Sequence, residues 1–416
     1  MKNKVILLAL FLLPLLSNAQ QDLTLAECYA LVTKNYPIAK QASLLQQKST
    51  YEIEALNKGK LPVVDINAQA TYQSEVIGFP AVVPGIMPLN KDQYRTTLDV
   101  NQLLYNGGMI DVNSKLKQAQ TKTQQQQIEV SLYQLKSRIN QYYFSILLLQ
   151  EKRALLLSKN ELLQSKVKEV QSGVKYGAIL PASELILEAE ILKIKQQLTE
   201  IQFEKIKMFQ NLSELTFTKI DSEANLVLPR FDSTNPTVVR PEITLFELQK
   251  QQLEYSKNTL ARSVLPKINA FGQAGYGNPG LNMLDNSFQP FFVVGVKANW
   301  NVLDWGKNKT EQKVLDISKE IVSSEKETFE LNNKIQMQEM ENEIRKTEQL
   351  LQTDFEVIHL REKIVTSSNS QMKNGVITTS EYLLELTNLF EAKNILKTHE
   401  VQLAAAKSSL ETIKGK

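Results

Sequence analysis

The chain has 416 residues, of which 42% are hydrophobic and 22% are charged, and its formal net charge is +3. A charge this close to zero creates no concentrated basic field, so nucleic acid is excluded as a favoured partner. The single cysteine excludes an intramolecular disulfide framework.

The first 19 residues have the pattern of a secretory signal. Lys2 and Lys4 precede an uncharged apolar run, and small residues follow it at the positions that a signal peptidase reads. The run is too short to span a bilayer as a helix, and no later stretch is longer. We therefore expect residues 1–19 to be removed on export, which lowers the formal charge from +3 to +1. We also expect the mature chain to have no transmembrane helix.

The first predicted helix covers residues 23–59 and contains the cysteine. Thr24 and Glu27 have the spacing of a capping box, in which each side chain accepts a hydrogen bond from a backbone amide at the helix start. Cys28 follows directly in "LTLAEC", which faintly resembles a lipid-attachment box. Glu27 stands where such a box needs a small residue, so a buried helical cysteine is favoured over lipid attachment.

The same plan occurs twice along the chain. Matching residues lie 204 positions apart in the early part of each copy and 198 apart in the later part, and they are Pro37 with Pro241, Tyr51 with Tyr255, Tyr72 with Tyr276, Gly108 with Gly306, and Gly177 with Gly375. The pattern predicts an internal duplication, with repeat 1 at 20–228 and repeat 2 at 229–416. The two copies differ in length only between Tyr72 and Gly108, which indicates a variable loop there.

Four segments alternate between apolar and polar residues and are predicted as strands: 62–73, 92–105, 266–276 and 291–303. One face carries Val64, Ile66, Tyr72, Leu98, Val100, Tyr276, Val294, Val296 and Trp300, and the other carries Asp65, Asn67, Asp99 and Asn101. A soluble half-buried sheet has the same alternation. Strands of about ten residues with aromatic residues near their ends favour membrane strands with the apolar face towards lipid. Four strands are too few to close a barrel, so copies of the chain are expected to share one, with the apolar loop 75–90 outside the cell.

Long helices are predicted at 109–173, 182–213, 241–262, 307–373 and 379–413. Apolar residues in the longest ones recur every three and four positions, as in a coiled coil. The breaks at "KYGAILPASEL" and "KNGVITTSEYL" carry Gly177 and Gly375, which can end a helix in the left-handed conformation. Ser183, or Thr379 and Ser380, are expected to cap the helices that follow. Residues 215–241 are predicted as a connector with a short strand in "NLVLP".

The sequence contains no recognisable catalytic constellation. It has two histidines, both in predicted helices, and no phosphate loop, nucleophile elbow or dinucleotide fingerprint. We therefore predict that the protein is not an enzyme and has no cofactor and no metal site.

In their order and spacing, "LTLAECYALVTKNYP", "QLLYNGG", "NVLDWGK" and the two glycine turns resemble the TolC-like family of outer-membrane efflux proteins. The resemblance implies a mainly α-helical protein with membrane β-strands, located in the outer membrane of a Gram-negative bacterium. It implies a homotrimer whose four strands per chain form one 12-stranded β-barrel and whose long helices form a periplasmic α-barrel. It also implies passive export of substrates that an inner-membrane pump and a periplasmic adaptor hand over.

The resemblance also assigns roles to the glycine turns. It places an adaptor-docking tip at Tyr176, Gly177, Ile179, Ser183, Asn374, Gly375, Ile377 and Ser380. Acidic residues after the second turn line the aperture in that family, which implies Glu381 and Glu385 here, although a family acid three residues beyond Glu381 corresponds to Leu384. A purely structural hairpin is the alternative for the turns. A periplasmic coiled-coil adaptor or scaffold without a pore is the alternative for the whole chain.

Overall fold

The structure, a computed structural model, describes residues 22–77, 88–231 and 240–416. The signal segment 1–19 and residues 78–87 of the apolar loop lie outside the described residues. The elements in chain order are β1 (Asp22–Leu23), α1 (Leu25–Asn35), a 3-10 turn (Pro37–Ala39), α2 (Lys40–Lys58), β2 (Val63–Tyr72), β3 (Asp92–Tyr105), α3 (Met109–Lys175), α4 (Pro181–Thr216), β4 (Asn225–Leu226), α5 (Pro241–Ser263), β5 (Lys267–Asn278), β6 (Gln289–Asn299), α6 (Lys307–Lys373) and α7 (Thr379–Ile413).

The chain divides into two compact units. Unit 1 contains the described parts of Met1–Ala39, Leu132–Val238 and Asn333–Lys416, and unit 2 contains those of Lys40–Ser131 and Val239–Asn332. Each unit therefore takes segments from both sequence repeats. The repeats at 20–228 and 229–416 describe how the sequence is duplicated and do not coincide with the compact units.

Unit 2 contains one antiparallel sheet with the strand order β2-β3-β5-β6. Directly opposite residues in such a sheet point to the same side. Ile66 is opposite Leu98, Leu98 is opposite Ala274, and Ala274 is opposite Phe292. The apolar positions of all four strands therefore lie on one face, as the alternation predicted. A register slip of one residue would move a whole strand's apolar set to the other face.

Unit 1 is built from helices around a buried apolar cluster. The cluster joins α1, α3, α4, α7 and β4 through Leu25, Cys28, Val32, Ile139, Tyr143, Phe144, Ile146, Leu147, Phe209, Leu212, Leu215, Leu226, Val401 and Ala404. Cys28 is fully buried in it, as predicted, and burial raises the pKa of its thiol to about 12. The predicted capping box at Thr24 and Glu27 is present.

The short strand predicted in the connector is present as β4. It pairs in parallel with β1, a two-residue strand that no pattern in the sequence predicts. The hydroxyl oxygen of Tyr143 lies 2.9 Å from the carbonyl oxygen of Leu23 and 2.7 Å from that of Val227. This one side chain therefore holds both short strands against α3.

Two predicted elements differ in the structure. The helix predicted over 23–59 is interrupted, because Tyr36 adopts an extended conformation with φ −62° and ψ 135° before Pro37. A proline disfavours the helical conformation in the residue before it. The strand predicted over 291–303 ends at Asn299. Trp300 lies beyond it, and its indole N–H donates to the carbonyl oxygen of Val264 at 3.0 Å.

Candidate functional site: the sheet faces and the helix turns

The apolar face of the sheet is open to solvent in the single chain. Ile66, Tyr72 and Val294 are 76%, 78% and 73% exposed. Val64, Leu98, Tyr276, Phe292 and Val296 on the same face are also exposed. Large apolar side chains that lie side by side on one exposed face indicate a surface that meets lipid or another protein. Among the described helices, none combines the length and hydropathy that a bilayer crossing requires.

The polar face is organised around Asp99. Its carboxylate accepts hydrogen bonds from the Asn67 amide at 2.7 Å, the Thr97 hydroxyl at 2.7 Å and the Gln273 amide at 2.5 Å. These donors come from β2, β3 and β5, so one carboxylate links three adjacent strands. Asp65 is directly opposite Asp99 in the register. The predicted polar residues thus share one face.

Two phenylalanine rings cover glycines on this polar face. A Cβ atom on Gly295 would lie 2.8 Å from the Phe271 ring, and one on Gly275 would overlap the Phe291 ring. Each ring therefore occupies the space above the glycine of the neighbouring strand. This explains why Phe271, which breaks the alternation in the sequence, stands on the polar side. The sequence feature that indicates this position for Phe271 is Gly295, which lies directly opposite it in the strand register.

The two predicted helix turns have the same backbone geometry. Gly177 and Gly375 both have φ +72°. The N–H of Gly375 donates to the carbonyl of Met372 at 3.1 Å, and the next N–H donates to that of Gln371 at 2.9 Å. The first turn has the equivalent pair of bonds. This is the Schellman motif, in which a left-handed glycine satisfies the last carbonyl groups of a helix.

The helices that follow the turns begin differently from the prediction. The residue before α4 is Leu180, which provides no side-chain cap, and Pro181 occupies the first helical position. Proline suits that position because the N–H it lacks has no partner there. Thr378 caps α7 in a capping box with Glu381. The prediction that Ser183, or Thr379 and Ser380, act as caps is therefore wrong.

The residues assigned to the docking tip divide by exposure. Tyr176, Gly177, Asn374, Gly375 and Ser380 are exposed, whereas Ile179, Ser183 and Ile377 are partly buried. Sequence reasoning missed four exposed apolar side chains beside the turns: Leu180, Leu185, Val376 and Leu384. Their sequence signal is weak, because each stands next to another apolar residue in the chain, and the sequence does not show which of the two is exposed.

Both turns pack on one apolar cluster. Its buried members are Leu163, Val170, Leu187, Ile194, Met372, Tyr382 and Leu386, from α3, α4, α6 and α7. Ile179 and Ile377 pack against it from the two turns. The sequence-predicted turns therefore belong to the same end of unit 1, and the two isoleucines anchor them.

A buried lysine crosses this region from α3 to α6. The Lys166 ammonium lies 2.6 Å from the Glu169 carboxylate, 2.7 Å from the Asn369 amide oxygen and 5.2 Å from the centre of the Tyr382 ring. Glu169 also pairs with Lys373 at 3.1 Å. Partial burial would raise the pKa of Glu169, but the hydrogen bonds and charges of the two lysines lower it.

Both acids assigned to the aperture have partners within the chain. The Glu381 carboxylate accepts from the Thr378 N–H at 2.7 Å and from its hydroxyl at 2.9 Å, and these bonds lower the pKa of Glu381. Glu385 pairs with Arg361 at 3.1 Å. Among the described residues, no group of three or more histidine, cysteine or acidic side chains is placed to hold a metal ion.

No protein-family model matches the chain. No curated protein matches it either. Solved structures do match. The outer membrane protein VceC of Vibrio cholerae has a TM-score of 0.67 at 12% identity, covering 94% of this chain and 96% of that one. The CmeC outer membrane channel of Campylobacter jejuni has a TM-score of 0.65 at 15% identity, covering 94% and 85%.

The open state of the MtrE outer membrane channel of Neisseria gonorrhoeae has a TM-score of 0.67 at 14% identity, covering 94% of this chain and 88% of that one. This chain has the fold of these outer-membrane proteins. The TolC-like fold predicted from the sequence is confirmed, and it extends over almost the whole chain.

Proposed function

We propose that this chain is a passive export channel in the outer membrane of a Gram-negative bacterium. Three copies contribute four strands each to a 12-stranded barrel, and their long helices form a tunnel through the periplasm. An inner-membrane pump and a periplasmic adaptor hand substrates to it. The protein is not an enzyme on this proposal.

The observation that carries the proposal is the sheet of unit 2. Its apolar face exposes large aliphatic and aromatic side chains on all four strands, and water makes such a surface unfavourable. Its outer strands, β2 and β6, have no further partner among the described residues. In a barrel closed by three copies, these edges pair with one another and the apolar face meets lipid. Neither the unpaired backbone groups of the edges nor the apolar surface is then exposed to water.

The glycine turns are proposed as the adaptor-docking tip. Tyr176 is 79% exposed, and Leu180 and Val376 are 75% and 70% exposed. An adaptor helix that covers these three side chains would bury apolar surface that the chain leaves in water. Glu381 and Glu385 are proposed to line the aperture at the same end, with Glu381 held by Thr378.

Fractionation and conductance measurements test the channel. The mature chain, expressed in a Gram-negative host, is expected in the outer-membrane fraction and as a trimer after chemical cross-linking. The purified protein is expected to form discrete conducting events in planar bilayers. Recovery in the soluble periplasmic fraction, with no conductance, would contradict the proposal and favour a periplasmic adaptor or scaffold.

A further inference from the structure

The polar face carries two lysines at the end of the sheet nearest the helices. Lys267 is the first residue of β5, and Lys297 lies two residues before the end of β6. In the register Lys267 is opposite Asn299, and Lys297 is opposite Asn269. The two ammonium groups are therefore diagonal neighbours on one face, and the two asparagine amides fill the other diagonal.

Neither lysine of this pair has an acidic partner among residues 22–77, 88–231 and 240–416. Within the described part of the chain, neither ammonium group has a hydrogen-bond or ion-pair partner. The carboxylate of Asp99 is already held by three donors. Like charges on neighbouring strands repel each other, so the pair is not a source of stability for the sheet. The fold therefore gains nothing from them, which indicates that they serve a ligand.

The internal duplication strengthens this conclusion. By the offsets of the repeat, Lys297 corresponds to Asp99 and Lys267 corresponds to Val63. The first hairpin thus presents Asp65 and Asp99, and the second presents two lysines in the same architecture. The lysines are not needed to build the hairpin, because the other copy builds it without them.

The lysines and the aspartates act separately in physiological salt. Asp65 and Asp99 belong to a row of residues that are paired directly across the four strands, and this row ends at Val293 of β6. Lys297 is four residues along β6 from Val293. Four residues of a strand span about 13 Å, which exceeds the Debye length of about 8 Å at 0.15 M salt. An anion at the lysines is therefore largely screened from the carboxylates.

We propose that this place is a binding site for multiply charged oxyanions, such as solutes with phosphate or several carboxylate groups. The ammonium groups of Lys267 and Lys297 supply the charge, and the amides of Asn269 and Asn299 supply further donors. The polar cavity has a volume of about 750 Å³, and Asn101 and Asp99 of β3 also line it. The Asp99 carboxylate is occupied by its three hydrogen-bond donors and lies in the cross-strand row four residues along the sheet from Lys297. If three copies share a barrel, as in the proposed function, the site becomes a ring of six lysines that attracts anions at the end nearest the helices.

The test uses the mature protein, inorganic pyrophosphate and bilayers of neutral phosphatidylcholine, which exclude anionic headgroups as the ligand. Pyrophosphate is expected to reduce the single-channel current. The double variant Lys267→Gln and Lys297→Gln should need a concentration about tenfold higher for the same reduction, because it loses both charge-assisted contacts. The matched double variant with arginine at both positions keeps the charges and should behave like the parent within about twofold.

Calorimetric titration of the detergent-solubilised protein with pyrophosphate is a second readout that needs no conductance. Here too the glutamine double variant should bind about tenfold more weakly than the parent, and the arginine variant should not. Equal binding by the parent and the glutamine variant overturns the inference, even if both conduct. A parent that binds pyrophosphate but never conducts would instead contradict the proposed channel. If the glutamine double variant does not fold, each single glutamine variant should bind pyrophosphate more weakly than the parent, by less than tenfold.

Discussion

The Glu381 carboxylate accepts hydrogen bonds from both the backbone N–H and the hydroxyl of Thr378, and the Thr378 hydroxyl accepts from the N–H of Glu381 at 3.2 Å. This capping box starts α7 immediately after the second glycine turn. The first turn has no counterpart, because Leu180 and Pro181 start α4 without a side-chain cap. The two repeats thus end their turns by different chemistry.

Replacing the cap should loosen the second turn. Thr378→Ala removes the acceptor for the N–H of Glu381 and should cost about 1 kcal/mol of local stability. Hydrogen exchange of the amides in residues 374–385 measures this as faster exchange. Ser380→Ala is the matched control, because Ser380 is exposed and makes no cap. An equal effect of both variants would contradict the assignment.

The same box predicts a pH dependence. The pKa of Glu381 is lowered from its ordinary value of 4.5 by its bonds to Thr378. A lowered pKa means that the stabilisation is fully present above the ordinary value and is lost as the pH falls through the lowered one. The protection of the second-turn amides, measured relative to their intrinsic exchange rate at each pH, should therefore fall below about pH 4. Glu381→Gln should remove most of this dependence. If hydrogen exchange at the first turn depends on pH as strongly, acid destabilises the helices in general and the capping box is not the cause.

The buried lysine of α3 should be important for the end of unit 1. Lys166→Ala removes hydrogen bonds to Glu169 and Asn369 and leaves a cavity beside Tyr382, which should cost about 2 to 3 kcal/mol. Protease sensitivity near both turns and local hydrogen exchange should both increase. Lys168→Ala is the control, because Lys168 is exposed. Equal sensitivity of the two variants would show that the Lys166 contacts contribute no stability.

The sheet should reject a methyl group at Gly295 on its polar face and accept one at Gly272 on its apolar face. A Cβ at Gly295 would lie 2.8 Å from the Phe271 ring, whereas one at Gly272 would lie an ordinary 3.7 Å from Val294. Gly295→Ala should therefore cost about 1 to 3 kcal/mol, and Gly272→Ala much less. Denaturant titration of the refolded protein measures the difference. Adding Phe271→Ala to Gly295→Ala should recover part of the loss, and no recovery would exclude the ring as the cause.

Two adjacent residues of β6 test which face meets lipid. Val294 lies on the apolar face opposite Gly272, and Val293 lies on the polar face opposite Gln273. If the proposed barrel forms, Val294→Arg near mid-bilayer should reduce the free energy of folding into vesicles by about 2 to 4 kcal/mol. Val293→Arg should have a much smaller effect, because its side chain faces the water-filled interior. Equal costs at the two positions would contradict lipid contact.

The period of the sequence was enough to predict most elements of the fold. Alternation with period two identified all four strands of the sheet, and the seams and the two glycines identified the long helices and their Schellman turns. These features are local, because each depends on residues within a few positions of one another. The Thr378 cap also has a local signal, since Thr378 and Glu381 repeat the spacing of Thr24 and Glu27.

Only the tertiary structure decided what depends on residues far apart in the chain. The covering of Gly295 by Phe271, the linkage of three strands by Asp99, and the crossing of Lys166 to Asn369 all require the strand register or the helix packing. The uncompensated lysines of β5 and β6 belong to the same class, because a lysine in a sequence does not reveal whether an acid lies opposite. Sequence periodicity determined which face each residue occupies, and the register determined its neighbours, because contacts across a sheet or between helices join segments with no local signal for each other.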